Sequence, residues 1–182
     1  MSPTDLTGIP MLRHTATATL LFLTLFLGAC GFHLRGTGEG ITVADEWRSM
    51  YLDTGNPNSE FSREIRARFA ANGIVWADKR EDANYTLILG PERFSQKNLS
   101  LNAEARAAEF ELTLASTFSV RDDKGKQVMP NANASVLKQM ENDPRNVVGK
   151  AEEIRILRAE MRTELAQQIM RRIAFFAASQ DA

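Results

Sequence analysis

Residues 109–120 read EFELTLASTFSV, and this stretch decides the fold. Apolar and polar residues alternate in it on both sides of two small residues, Ala115 and Ser116. The apolar set is Phe110, Leu112, Leu114, Phe118 and Val120, and the polar set is Glu109, Glu111, Thr113, Thr117 and Ser119. Alternation over this length predicts a long antiparallel strand with one face in the core and one face in water.

The segments on either side supply partner strands. Residues 122–126 (DDKGK) predict a hairpin turn, and residues 127–139 return as a second strand, in which Pro130 indicates an edge position or a bulge. Upstream, residues 85–90 (YTLILG) predict another strand. Its continuation through 94–101 is polar enough to be irregular or exposed. These segments predict a mostly antiparallel sheet.

The first part of the domain adds a strand and a helix. Residues 47–53 (WRSMYLD) predict the first strand, and residues 54–59 (TGNPNS) predict a turn in which Asn58 or Ser59 caps a helix. The apolar residues of that helix recur every four positions: Phe61, Ile65 and Phe69. Asn72 and Gly73 supply its C-terminal stop, and residues 74–76 are a candidate short extended piece.

The last segment predicts a much longer helix. Asn142, Asp143 and Pro144 provide a cap followed by proline at the first helical position, and apolar residues then keep a three-and-four spacing for about nine turns. Its charges, interpreted as a solvated face, are Arg155, Arg158, Glu160, Arg162 and Glu164. The predicted fold class is therefore α+β, with a mostly antiparallel sheet of about four strands packed by two helices, the C-terminal one long.

The N-terminus carries a second signal. Residues 20–35 read LLFLTLFLGACGFHLR, an apolar run followed by small residues and a cysteine, which is typical of a bacterial lipoprotein signal. The apolar run is shorter than the roughly 20 residues that span a bilayer as a helix. Cys30 is the only cysteine, so it is the predicted lipidation site, with S-diacylglycerol and an N-acyl chain. The alternative is a buried core cysteine behind an unrelated apolar run.

These signals divide the chain into three parts. Residues 1–29 are the predicted signal peptide, and Met11 is a better start than Met1 because residues 1–10 hold no basic residue. Residues 30–45 are the predicted lipidated N-terminus and tether. Residues 46–182 are predicted to form a single domain.

Composition excludes several function classes. With 22 basic and 23 acidic residues, the chain has no overall field that would attract nucleic acid. Once the signal is removed, His33 is the one histidine, and the only thiol is the predicted lipidation site, which argues against Cys-His catalysis and the usual zinc clusters. No G-x-S-x-G motif is present. We therefore expect no enzyme, no catalytic residues, no metal and no cofactor beyond the covalent lipid. The alternative is a lipid or peptidoglycan hydrolase that uses Ser with Asp or Glu, for which the sequence nominates no residue.

Three motifs together resemble the LptE family of lipopolysaccharide-assembly lipoproteins: CGFHLRG at 30–36, LDTGNPN at 52–58 and NDP at 142–144. The resemblance implies a lipoprotein on the periplasmic side of the outer membrane. It implies a plug inside the LptD β-barrel that assists assembly of that barrel and helps deliver lipopolysaccharide to the outer leaflet. Gly31, rather than aspartate, fits sorting to the outer membrane. The alternative is a periplasm-facing accessory lipoprotein of another lipid-transport complex.

The resemblance also nominates basic residues that would bind lipopolysaccharide phosphates. Lys150 falls at the family's basic position shortly after Asp143 and Pro144. Arg106 stands near the family's basic position at the tip of the middle strands, although it shares the parity of the apolar Phe110. Arg93 and Lys97 are further candidates. The alternative for each of the four is an ordinary solvated charge.

Overall fold

The structure is a computed structural model that describes residues 43–101, 107–141 and 147–180. It describes the backbone but not the side chains of Leu101, Ala107, Val147 and Val148. The predicted signal, the lipidation site Cys30, most of the tether, Arg106 and the cap at residues 142–144 lie outside the described residues.

The described residues form an α+β fold, which confirms the predicted class. Its elements follow in the order β1 (Ser49–Thr54), α1 (Glu60–Ala71), β2 (Val75–Trp76), β3 (Tyr85–Leu89), β4 (Arg93–Leu101), β5 (Ala107–Asp122), β6 (Gln127–Glu141) and α2 (Val147–Gln180). Short 3₁₀ turns at Asp45–Arg48 and Arg80–Asp82 precede β1 and β3.

β5 is the central strand of the sheet and pairs with three other strands. One of its edges pairs antiparallel with β6 along most of its length. The other edge pairs antiparallel with β3 near its end, where Leu89 faces Phe118, and with β4 near its beginning, where Phe94 faces Leu114. β1 pairs with β3, and β2 with β1, in both cases parallel. The even residues of β5 are buried as predicted, from Phe110 to Val120, whereas Glu109 and Thr117 are exposed.

The sheet has six strands, so the prediction of about four was wrong. The short piece at 74–76 forms the two-residue β2, and the predicted second strand is divided into β3 and β4 by Gly90, Pro91 and Glu92. Pro91 has no N–H to donate to a ladder. At the break, the Gly90 N–H donates to the Thr117 carbonyl (2.8 Å) and the Ser116 hydroxyl donates to the Gly90 carbonyl (2.9 Å).

The first strand begins two residues later than predicted because Trp47 closes the preceding 3₁₀ turn. Its N–H donates to the Ala44 carbonyl at 2.9 Å, and the indole is buried. The ring stacks on Tyr85, with the two ring centroids 3.9 Å apart. Trp47 therefore acts as a core residue at the start of the domain rather than as a strand residue.

α1 and β6 follow the sequence predictions. Of the two candidate caps of α1, Ser59 is the one used, because its hydroxyl accepts from the Ser62 N–H at 3.0 Å. In β6 the register advances by one extra residue between Met129 and Ala132, so Pro130 lies in a bulge of an edge strand.

α2 has 34 residues, which makes it roughly 50 Å long. Its buried side chains all lie in the second part: Met161, Leu165, Ala166, Ile169, Met170, Ile173, Ala174 and Ala177. They join the residues of α1 and the sheet in one core cluster. The described side chains before Met161 are partly or fully exposed. No helix of the described residues is both long enough and apolar enough to cross a membrane.

The close approach at Gly90 gives a testable prediction. A Cβ added there would lie 2.3 Å from Thr117 Oγ1 and 3.1 Å from the Thr117 carbonyl oxygen. We expect Gly90→Ala to lower the free energy of unfolding by about 1 to 3 kcal/mol, measured by urea denaturation. Gly55→Ala is the matched control, because nothing lies within 4 Å of its added Cβ. Equal stability of the two variants would show that the strand break tolerates a side chain.

Candidate functional site

Three strands and the last helix begin or end at the same end of the sheet. There β4 ends at Leu101, β5 begins at Ala107, β6 ends at Glu141 and α2 begins at Val147. We call this end the tip. At the tip, side chains from the middle strands and from the last helix come together, as Lys150 and Phe110 do.

Of the four candidate basic residues, Lys150 is the one that the structure places at the tip. Its Nζ lies 4.8 Å from the centroid of the Phe110 ring. Phe110 is 5% exposed and pairs with Met140 on β6 and Asn98 on β4, so the ring forms a buried floor under the ammonium group. A cation over an aromatic face is attracted to it, and an ammonium group is a hydrogen-bond donor of the kind that binds phosphate.

Arg93 and Lys97 project from the opposite face of the sheet. Both are exposed, and Lys97 stands beside Glu111 across the β4–β5 ladder, on the face that turns away from α2. The structure therefore does not bring them together with Lys150. Arg106 lies outside the described residues, so its predicted role is unchanged, as is that of Cys30.

A second cluster of charges lies between α2 and the strand break. Arg158 Nε donates to Glu92 Oε1 at 2.7 Å, and Arg162 Nε donates to Glu92 Oε2 at 2.6 Å. Arg162 also pairs with Glu60 of α1, and the Arg158 guanidinium stacks on Phe94 with its Cζ 4.9 Å from the ring centroid. We call Glu60, Glu92, Arg158 and Arg162 the ion cluster.

The ion cluster corrects the interpretation of the α2 charges as a solvated face for Arg158 and Arg162, whereas Arg155, Glu160 and Glu164 are exposed as predicted. The side chains of Glu92 and Arg162 are only 11% and 14% exposed. On the other side of α2, Lys138 of β6 pairs with Glu160 at 3.0 Å and Glu164 at 2.7 Å. Of the five charged residues, Arg155 alone pairs locally, with the exposed Glu152.

Sequence reasoning missed Glu92. The available signal was its place in a Gly-Pro-Glu break between two strands, together with two arginines four residues apart on α2. Burial raises the pKa of the Glu92 carboxyl, but hydrogen bonds from Arg162 and Arg158 outweigh that effect and hold the pKa below its ordinary value of 4.5. Glu92 is therefore ionised and doubly paired at neutral pH.

The ion cluster forms one wall of a cavity of about 440 Å³. Thr54, Gly55 and Asn56 of the LDTGNPN motif form another wall, beside the capped start of α1. The arginines that line the cavity are already paired with carboxylates, so the arrangement serves to hold α1, α2 and the strand break together. Among the described residues no group of His, Cys, Asp or Glu is arranged to hold a metal ion.

The chain is similar to known proteins in both sequence and fold. The profile of the family described as "LptE: Lipopolysaccharide-assembly" matches residues 47–173. The "LPS-assembly lipoprotein LptE" of Yersinia pestis (strain Pestoides F) is 30% identical over 165 residues, covering 89% of this chain and 77% of the relative. The protein of the same name from Yersinia pseudotuberculosis serotype O:1b has the same identity and coverage.

Solved structures agree on the fold. The crystal structure of the "rare lipoprotein B" from Shewanella oneidensis superposes with a TM-score of 0.66 at 25% identity, covering 73% of this chain and 98% of that one. The NMR structure of an "uncharacterized lipoprotein B" from Nitrosomonas europaea gives a TM-score of 0.68 at 18% identity, covering 81% of this chain and 93% of that one.

The ion cluster predicts the effect of removing one charge. Glu92→Gln leaves Arg158 without its carboxylate and Arg162 with Glu60 alone. We expect the free energy of unfolding at pH 7 to fall by about 1 to 3 kcal/mol, because the largely buried Arg162 loses one of its two carboxylates and the more exposed Arg158 loses its partner. Urea denaturation followed by circular dichroism measures the change. Glu152→Gln, which removes an exposed pair on the same helix, is the control and should have no measurable effect.

The same variant has a defined pH dependence. A carboxylate whose pKa is lowered by folding stabilises the chain above its unfolded-state pKa and loses that effect as the pH falls through its folded-state pKa. The stability difference between the parent chain and Glu92→Gln should therefore be constant near neutral pH and shrink below pH 4.5. A difference that stays undiminished well below that pH would contradict the role of the charge.

Proposed function

The chain belongs to the LptE family of lipopolysaccharide-assembly proteins, and from that premise we propose that it is an outer-membrane lipoprotein that plugs the LptD β-barrel. In this proposal acylated Cys30 holds the chain on the periplasmic side of the outer membrane. The plug assists assembly of the barrel, and the two proteins together deliver lipopolysaccharide to the outer leaflet. The chain acts by binding and not by catalysis.

The exposed sheet face supports the plug. The side of the sheet that turns away from α2 carries a mixed, mainly polar set of side chains: Arg93, Ser95, Lys97, Glu111, Thr113, Ser135, Leu137 and Gln139. The lumen of an outer-membrane barrel is polar, so a polar sheet face can lie against it without leaving apolar surface in water. An α+β domain with one closed apolar core fits the same role.

Contact with lipopolysaccharide is proposed at the tip, and Lys150 over Phe110 is the observation that carries it. The ammonium is held at a fixed place by the ring, at the end of the sheet where the middle strands and α2 meet. Lipid A phosphates accept charge-assisted hydrogen bonds from such a group. Arg106 is the proposed second contact, and Arg93 and Lys97 would meet lipopolysaccharide only if it also reached the outer sheet face.

Purification with its partner tests the plug. We expect the full chain, extracted from outer membranes in mild detergent, to bring down a large barrel protein in equal amount. Mass spectrometry of the N-terminus should find Cys30 with three acyl chains. Recovery with inner-membrane transporter subunits instead would favour the accessory-lipoprotein alternative, and an unmodified Cys30 would overturn the lipid anchor.

Charge reversal tests the tip. We expect Lys150→Glu to weaken lipopolysaccharide binding between about ten-fold and a hundred-fold, the loss for one charge-assisted hydrogen bond of about 1.5 to 3 kcal/mol. Binding is measured with purified lipopolysaccharide, and a thermal melt checks that the variant is folded. Lys124→Glu, in the exposed turn between β5 and β6 at the other end of the sheet, is the matched control. Equal affinity of the two variants would remove Lys150 from the binding site.

A further inference from the structure

The C-terminal part of α2 carries an apolar side chain that the core does not explain. Phe175 is 80% exposed, more than any other large hydrophobic residue in the part of the chain that the structure describes. Its neighbour Phe176 packs against the core instead. A single exposed apolar residue is ordinary. Phe175, however, does not stand alone, because it belongs to a groove.

The groove runs along one stripe of α2. Gln168, Arg171, Arg172, Phe175 and Ser179 follow each other at three- and four-residue spacing and, with Met129 of β6 and Phe176, line a concavity of about 420 Å³. We call it the C-terminal groove. It combines one exposed aromatic ring with two guanidinium groups, both on exposed residues.

One guanidinium of the groove is held in place by the sheet. Arg172 Nη1 donates to the Asn133 carbonyl at 2.6 Å, and its Cζ lies 5.6 Å from the centroid of the Phe118 ring. A guanidinium has five N–H donors, so one bond to the backbone leaves further donors for a ligand. Gln168 Oε1 is buried and has no hydrogen-bond partner among the described residues, so the groove also contains an unused acceptor.

The groove lies where the chain enters the domain. Phe176 contacts Trp47 edge-on, with ring centroids 6.0 Å apart, and Trp47 follows closely after Val43, the first described residue. From Cys30 to Val43 the chain is 13 residues long, so it spans at most roughly 45 Å when fully extended. A membrane that holds Cys30 is therefore within reach of this end of α2.

We propose that the C-terminal groove binds the phospholipid surface in which the chain is anchored. Phe175 enters the boundary between headgroups and acyl chains, where aromatic side chains are favoured. Arg171 and Arg172 pair with lipid phosphates. The contact is a second, non-covalent attachment that orients the domain. It rests on the proposed acylation of Cys30.

Fluorescence quenching by brominated phospholipid tests this contact. Phe175→Trp is introduced into the full, acylated chain, which is reconstituted into vesicles of phosphatidylethanolamine and phosphatidylglycerol with and without brominated acyl chains. The parent chain, with Trp47 and Trp76, supplies the background to subtract. Ile156→Trp is the matched control, since Ile156 is 47% exposed on the same helix but roughly 28 Å nearer the tip.

We expect the emission of Trp at position 175 to shift to shorter wavelength and to lose intensity with brominated lipid, while position 156 shows neither change. Adding Arg171→Glu should reduce the quenching at 175. A blue shift without quenching would mean that protein covers the groove, and equal quenching at both positions would mean that the helix lies flat; either result overturns the proposal.

The same samples separate this inference from the proposed function. Mass spectrometry of the N-terminus reports acylation independently of the fluorescence. An acylated chain without quenching at position 175 overturns the groove contact alone. A chain without acyl groups overturns the anchor, and this inference fails with it.

Discussion

The position of α2 across the sheet is the constraint on which the rest of the structure depends. Fully buried apolar side chains of the helix begin only at Met161, after the partly buried Ile154 and Leu157, and the ion cluster lies at that boundary. Glu92 joins Arg158 and Arg162 on one side, while Lys138 joins Glu160 and Glu164 on the other. The helix is therefore held from both flanks at the point where its side chains change from fully buried to partly exposed.

The two flanks are not equal in strength. Glu92 and Arg162 are mostly buried, so their pair is screened little by solvent, whereas Glu160 and Glu164 are about half exposed. The buried flank also ties the helix to the break between β3 and β4 and, through Glu60, to α1. The strand break is thus where both helices and the sheet are joined. Lys150 lies two to three turns earlier on the same helix, so fixing the helix at this junction also helps to hold Lys150 over Phe110.

Much of the fold could be predicted because its signals are periodic. The alternation in β5, the four-residue spacing in α1 and the nine turns of α2 each report which face of an element is buried, and Pro130 reported a bulge. The ion cluster could not be predicted in this way. Glu92 meets partners 66 and 70 positions away, and periodicity identifies a face but not the residue that meets it. The pattern within α2 predicts a solvated charged face because it does not show the partners, which lie on other elements.

The edge position of β6 has a consequence for how the sheet behaves among other chains. Among the described strands β6 has a neighbour on one side only, and a long free edge offers N–H and carbonyl groups on which a foreign strand can pair and start aggregation. Pro130 and the bulge interrupt that edge near the turn. Lys138, the one lysine of β6, is drawn towards α2 instead of lying across the edge. Among the described residues, the backbone features that oppose such pairing are therefore concentrated at the turn end of β6, and the end nearer the tip carries the exposed charge of Glu141 instead.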